Sequence, residues 1–115
     1  MNHTRMTRVN EEILKEVAEL IRTEMKDPRV SNMTTVTKVD TTNDLKHCKI
    51  HVSVLGDENQ KKETIDGLQS ASGFIRKRLA ETINLRYTPN VKFILDESAE
   101  YSIKISKLID EANKK

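Results

Sequence analysis

The chain has no tryptophan, two tyrosines and two phenylalanines among its 115 residues. A surface of several stacking rings, by which RRM-type sheets hold bases, cannot be assembled from so few. The single cysteine, Cys48, excludes an internal disulfide and suits a reducing compartment. No segment approaches the ~18 consecutive apolar residues of a membrane span, and the opening MNHTRMTRVNEE lacks the apolar stretch of a secretion signal. A cytoplasmic protein without membrane attachment is expected. Neither sign of charge dominates, since 20 basic and 18 acidic residues leave only +2. Nucleic-acid binding therefore cannot be argued from total charge and has to rest on local clustering. No P-loop, dinucleotide-binding glycine pattern, Ser-His-Asp or Cys-His constellation is present, so neither catalysis nor a cofactor is expected.

What remains is a charged, economical domain. The length suits one unit over residues 1–115, with 36% hydrophobic residues for a core and 33% charged residues for its surface. RVNEEILKEVAELIRTEM carries the clearest helical pattern: Val9, Ile13, Leu14, Val17, Ala18, Leu20, Ile21 and Met25 share one half of the wheel. Asp27-Pro28 ends it. MTTVTKVD (33–40) and LKHCKIHVSVL (45–55) read as an antiparallel hairpin turned at Asn43-Asp44. The second alternates cleanly, with Cys48, Ile50, Val52 and Val54 on one face; the first alternates poorly, leaving its register open. Asp57 and Gln60 make a capping box for a following helix. VKFIL is a third strand, and from Ser98 onward Tyr101, Ile105, Leu108, Ile109 and Ala112 form the stripe of a last helix, its docking, firm or loose, left open by the sequence, with Lys114-Lys115 at its end.

Between these lies LQSASGFIRKRL, residues 68–79. The apolar series Ile65, Leu68, Ile75, Leu79, Ile83 keeps its phase across Ser70-Ala71-Ser72-Gly73, so the interruption reads as a kink in a nearly continuous helical path. A kink at Gly73 would rotate Phe74 toward the core. The plainer alternative is that Gly73 caps one helix and Ser70 or Ser72 starts the next. Small residues there would let another backbone or a phosphate approach, beside Arg76, Lys77 and Arg78 near a helix N-terminus. HCKIH carries no metal site: His47 and His51 stand about 13 Å apart along a strand and Cys48 faces the other way.

The order of RVNEEILKEVAELIRTEMKDPRV, LKHCKIHVSVLGDE, SASGFIRKRL, INLRYTPNVKFILDES and KISKLIDE resembles the ribosome-binding factor A family over nearly the whole chain. The resemblance implies an α+β, type II KH-like fold in the order α-β-β-α-(kink)-α-β plus a C-terminal helix over 98–115, a three-stranded sheet packed by helices on one face. In place of a KH domain's GXXG clamp, the family has an Ala-x-Gly kink, here Ala71-Ser72-Gly73. It further implies a non-catalytic, monomeric factor that binds the free small ribosomal subunit and its rRNA. Late maturation, 5′-end processing, growth in the cold and release with assembly GTPases go with that role. The RNA-binding set expected is Arg76, Lys77, Arg78 and Arg86, supported by Arg5, Arg8, Lys46 and Lys49, with Ala71, Ser72 and Gly73 at the kink. The competing reading is a protein-interaction module that binds a partner without touching RNA.

Overall fold

The computed structural model describes residues 5–85 and 87–113. Arg86 and Lys114-Lys115 lie outside the described residues, as does the side chain of Tyr101. The order is α1 (Arg5–Thr23), β1 (Thr34–Thr41), β2 (His47–Val54), α2 (Glu58–Ser70), α3 (Ser72–Thr82), β3 (Asn90–Leu95) and α4 (Ser98–Asn113). The sheet runs β1-β2-β3, with β1 antiparallel and β3 parallel to β2.

The core forms where the helical stripes meet one face of that sheet. Ile13, Val17 and Leu20 of α1, Leu68 of α2, and Ile75 and Leu79 of α3 are buried against Cys48, Ile50, Val52, Val54, Val91 and Phe93. Burying each large aliphatic side chain stabilises by roughly 1.5–3 kcal/mol. The uncertain register of β1 has a local cause. A bulge between Val36 and Lys38 inserts Thr37, so Val36 and Val39, three apart, both turn inward. Strict alternation fails there because one residue is extra.

Polar contacts fix the connections. α1 ends at Thr23, four residues before the Asp27-Pro28 stop, and Asp27 instead organises the exit, accepting from the Arg29 N–H at 2.9 Å and its guanidinium at 2.7 Å. Thr64, fully buried in α2, receives the Ser31 N–H at 3.2 Å and donates to the Arg29 carbonyl at 3.3 Å. Gly67, one turn on, lets α2 close on the same segment: a Cβ there would stand 2.9 Å from Val30 Cγ2. At the start of α2 the capping box is complete, Asp57 Oδ1 accepting from the Gln60 N–H and Gln60 Oε1 from the Asp57 N–H, both at 2.8 Å. Both sheet edges meet side-chain amides. Gln69 donates to the Val91 carbonyl and accepts from the Phe93 N–H, each at 3.0 Å, and Asn10 accepts from the Thr41 N–H at 3.1 Å.

The SASG interruption reduces to one residue. Ala71, at φ −87° and ψ 3°, is both the end of α2 and the start of α3. Its N–H reaches the carbonyls of Gly67 and Leu68, and its own carbonyl accepts from Ile75 at 3.0 Å, so the path and its phase continue. The expected rotation of Phe74 into the core does not occur: its side chain is 45% exposed. Phase continuity itself explains this, because Ile75 and Leu79 keep the inward stripe and Phe74 falls outside it.

α4 contrasts with the other helices. Ile103, Ile105, Leu108 and Ile109 are all exposed, and so is every other described side chain from 103 to 113. Among its described residues the ties lie at the root. Asp96 accepts from the Thr37 hydroxyl at 2.7 Å and the Ser98 N–H at 2.9 Å, and buried Lys61 pairs with Glu97 at 3.5 Å. Ser98 and then Thr37 hold the Asp96 carboxyl down to about 2.

Candidate nucleic-acid interface

Arg76, Lys77 and Arg78 are neighbours in sequence, but each helical step turns the side chain by about 100°. Arg76 is half-buried and donates to the carbonyls of Pro89 at 3.1 Å and Thr88 at 3.4 Å, holding the connection that leads into β3. Arg78 pairs with Glu24, just past the end of α1, at 2.6 Å and lies 5.7 Å from the centre of the Phe74 ring. That contact gives the exposed Phe74 a cation–π partner. Lys77 is exposed and shares a shallow hollow with Phe74, Arg78 and Glu81. The three do not form a common basic patch: two are engaged in holding the fold. Gly73 faces open space, with nothing within 4 Å of where a Cβ would stand. Ala71 and Ser72 are half-buried beside it.

A second group of cations lies on the sheet. With the helices covering one face, the opposite face of β2 presents His47 and Lys49 to solvent, and His51 half-buried. Pairing places Lys49 between Asp40 of β1 and Lys92 of β3, and His51 beside Lys38. Neighbouring strands are about 4.8 Å apart, so Lys38, Lys49 and Lys92 occupy one face, with Asp40 among them and Asp96 close to Thr37 and His51. Lys92 and Lys38 were missed from sequence. The alternation of Val91 and Phe93 already turned Lys92 outward; what was hidden was the parallel pairing that seats it beside Lys49.

At the turn end of the sheet, α1, the β1–β2 turn and the α3–β3 connection enclose a groove of about 650 Å³. Arg5 and Lys46 line it, with Tyr87, Leu45 and Leu85 among its walls. Arg8 is exposed one turn along α1. The turn is tightly made. Asp44 accepts from the Thr42 hydroxyl at 2.7 Å and from the Lys46 N–H at 3.0 Å, which hold its carboxyl below the ordinary range. Leu45 sits at φ 62°, in the left-handed region that bulky residues rarely adopt. Lys46 and His47 run from this rim onto the open face. The expected set is thus split: Arg5, Lys46 and Lys49 belong to one continuous end of the sheet, and Arg76 and Arg78 are turned to internal partners on α3.

Chemically, the described residues at this end offer mobile ammonium charges and the Arg5 guanidinium to phosphate, with a half-exposed phenol ring and no thiol. Cys48 is buried in the core, where burial pushes its pKa up, and the adjacent histidines lie on the other face of the strand.

Residues 5–109 match the family model described as ribosome-binding factor A. A ribosome-binding factor A from Lachnospira eligens is 56% identical over 110 residues, spanning 96% of this chain and 85% of the relative. One from Agathobacter rectalis is 48% identical, spanning 98% and 93%. The solution structure of a Thermotoga maritima protein assigned to ribosome binding factor A superposes with a TM-score of 0.72 at 30% identity, covering 82% of this chain and 90% of that one. A Thermus thermophilus ribosome binding factor A, fitted as a homology model into a cryo-EM map of a 30S complex, superposes at 0.64 and 21% identity, covering 77% and 92%.

Proposed function

The chain belongs to the ribosome-binding factor A family, and from that premise we propose that it binds the free small ribosomal subunit through its rRNA and promotes late maturation, including processing of the rRNA 5′ end. It acts in the cytoplasm as a monomer and without catalysis. The fitting of a structural neighbour into a map of a 30S complex carries this reading. The surface that fits it best is the open sheet face with Lys38, Lys49 and Lys92, continued by Lys46 and Arg5 at the groove. Such contacts would supply affinity and salt dependence in place of base specificity.

Gradient sedimentation of a lysate tests the proposal. The protein travels with free small subunits and not with assembled ribosomes, and the association weakens as salt rises. Replacing Lys38, Lys49 and Lys92 together by Gln lowers the slope of log affinity against log salt by about 2 to 3. An unchanged slope would remove the sheet face from the interface, and absence from the small-subunit fraction would remove the function. The exposed stripe of Ile105, Leu108 and Ile109 favours a second reading, a protein partner. An association that survives nuclease digestion of the RNA selects it.

A further inference from the structure

We propose that the groove between α1, the β1–β2 turn and the α3–β3 connection seats one unstacked nucleotide of single-stranded RNA. The inference rests on the RNA-binding reading above and names what this part of the surface holds.

Its size is the first argument. About 650 Å³ lies within the range of roughly 300–1,000 Å³ typical of clefts for small ligands. A duplex backbone tracking over charges needs no concavity, whereas a splayed-out base does. The second argument is the disposition of apolar and charged groups. Tyr87, 54% exposed, is part of the lining, and Leu45 and Leu85 supply apolar wall. Arg5 and Lys46 also line it. A stacked base flanked by phosphates asks for this combination: a ring for the base and cations for the phosphates on either side. Glu12 and Asp44 add carboxylate acceptors to the lining and Asn43 and Asn84 add amides, the groups that pair with exocyclic amines and ring edges.

The third argument is rigidity. Leu45 is held at φ 62° by a turn closed through the Asp44 carboxylate, the Thr42 hydroxyl and the Lys46 N–H. A bulky residue kept in a sparsely populated conformation by its surroundings places its side chain in one position, as a preformed wall requires. Arg76 does the same for the opposite side, gripping the carbonyls of Thr88 and Pro89 just after Tyr87. Arg76 is therefore a positioning residue for the ring, without itself reaching the nucleotide.

The test uses the full chain and a fluorescein-labelled single-stranded RNA of about eight nucleotides, a length within known single-strand site sizes, beside the same strand in a duplex. Tyr87→Ala weakens single-strand binding about 10-fold, and Tyr87→Phe, which keeps the ring, stays near wild type. Arg5→Gln with Lys46→Gln lowers the salt slope by about 1.4. Circular-dichroism melts of each variant confirm folding, and the Phe variant keeps the proposal testable should the Ala variant unfold. Equal oligonucleotide affinity for wild type and Tyr87→Ala, or no preference for single strand over duplex, overturns the seat. If wild type still sediments with small subunits in that case, the function stands without it. If Tyr87→Ala loses subunit association but keeps oligonucleotide affinity, the groove takes a protein partner and the proposal fails. Failure of wild type to sediment with small subunits is the separate failure of the function.

Discussion

α1 and α4 carry the same sequence message and meet different fates. Each has an apolar stripe at helical spacing, yet Ile13, Val17 and Leu20 of α1 are buried under the sheet and Ile105, Leu108 and Ile109 of α4 stand exposed. A stripe states that a helix profits from a cover; it does not state that the cover belongs to the same chain. Held by packing along its length, α1 is part of the core. α4 is held at its root by the polar contacts of Asp96 and Glu97.

The sharpest way to break this comparison is to truncate matching residues. Ile13→Ala should destabilise by about 2–5 kcal/mol, as deletions in a close-packed core do. Leu108→Ala should change stability by less than about 0.5 kcal/mol. Urea unfolding followed by far-UV circular dichroism measures both, and equal losses would mean that α4 is packed as tightly as α1. The two glycines of the helical path extend the same contrast. Gly67→Ala drives a Cβ to 2.9 Å from Val30 Cγ2 and should destabilise by about 1–3 kcal/mol. Gly73→Ala meets open space and should stabilise by about 0.5–1 kcal/mol through helix propensity. Thermal melts of the two variants, shifted in opposite directions, are the expected result.

A smaller effect is expected where α1 touches α3. Arg78→Ala removes a partly exposed pair with Glu24 and a ring contact, and should lower stability by about 1 kcal/mol or less. A double-mutant cycle with Glu24→Ala isolates the pair.

The root of α4 gives the smallest and most local effect. Asp96 has its pKa lowered from 3.8 to about 2 in the folded chain. A depressed carboxyl contributes stability above its unfolded value, and that contribution is lost as pH falls through the folded one. NMR shifts of Thr37 and Ser98 should therefore be steady above about pH 4 and titrate together toward pH 2. Asp96→Asn should abolish that titration and leave the α1 signals unmoved.

Local patterns were legible in the sequence because the physics that makes them is local. The α1 stripe, the alternation of Cys48, Ile50, Val52 and Val54, the Asp57–Gln60 box and the unbroken phase through Ala71 each depend on residues within a turn or two. What stayed hidden is non-local. Nothing in TTVTKV announces that Thr37 will be the extra residue opposite β2, or that Lys92 will lie beside Lys49. The surroundings of the basic run at 76–78 were hidden for the same reason. Its partners, the Thr88 and Pro89 carbonyls and Glu24, come from elsewhere in the chain, so adjacency in sequence did not announce them.

The amides of Gln69 and Asn10 have a consequence for association. A three-stranded sheet invites strand addition at both borders, where N–H and C=O groups would otherwise await another chain. Gln69 occupies the donor of Phe93 and the acceptor of Val91, and Asn10 takes the donor of Thr41, so a neighbouring molecule cannot extend the ladder at those points without evicting a side chain. Two uncharged residues on two helices thus oppose polymerisation through the sheet, and Gln69→Leu is the single change that should reopen the β3 border to it.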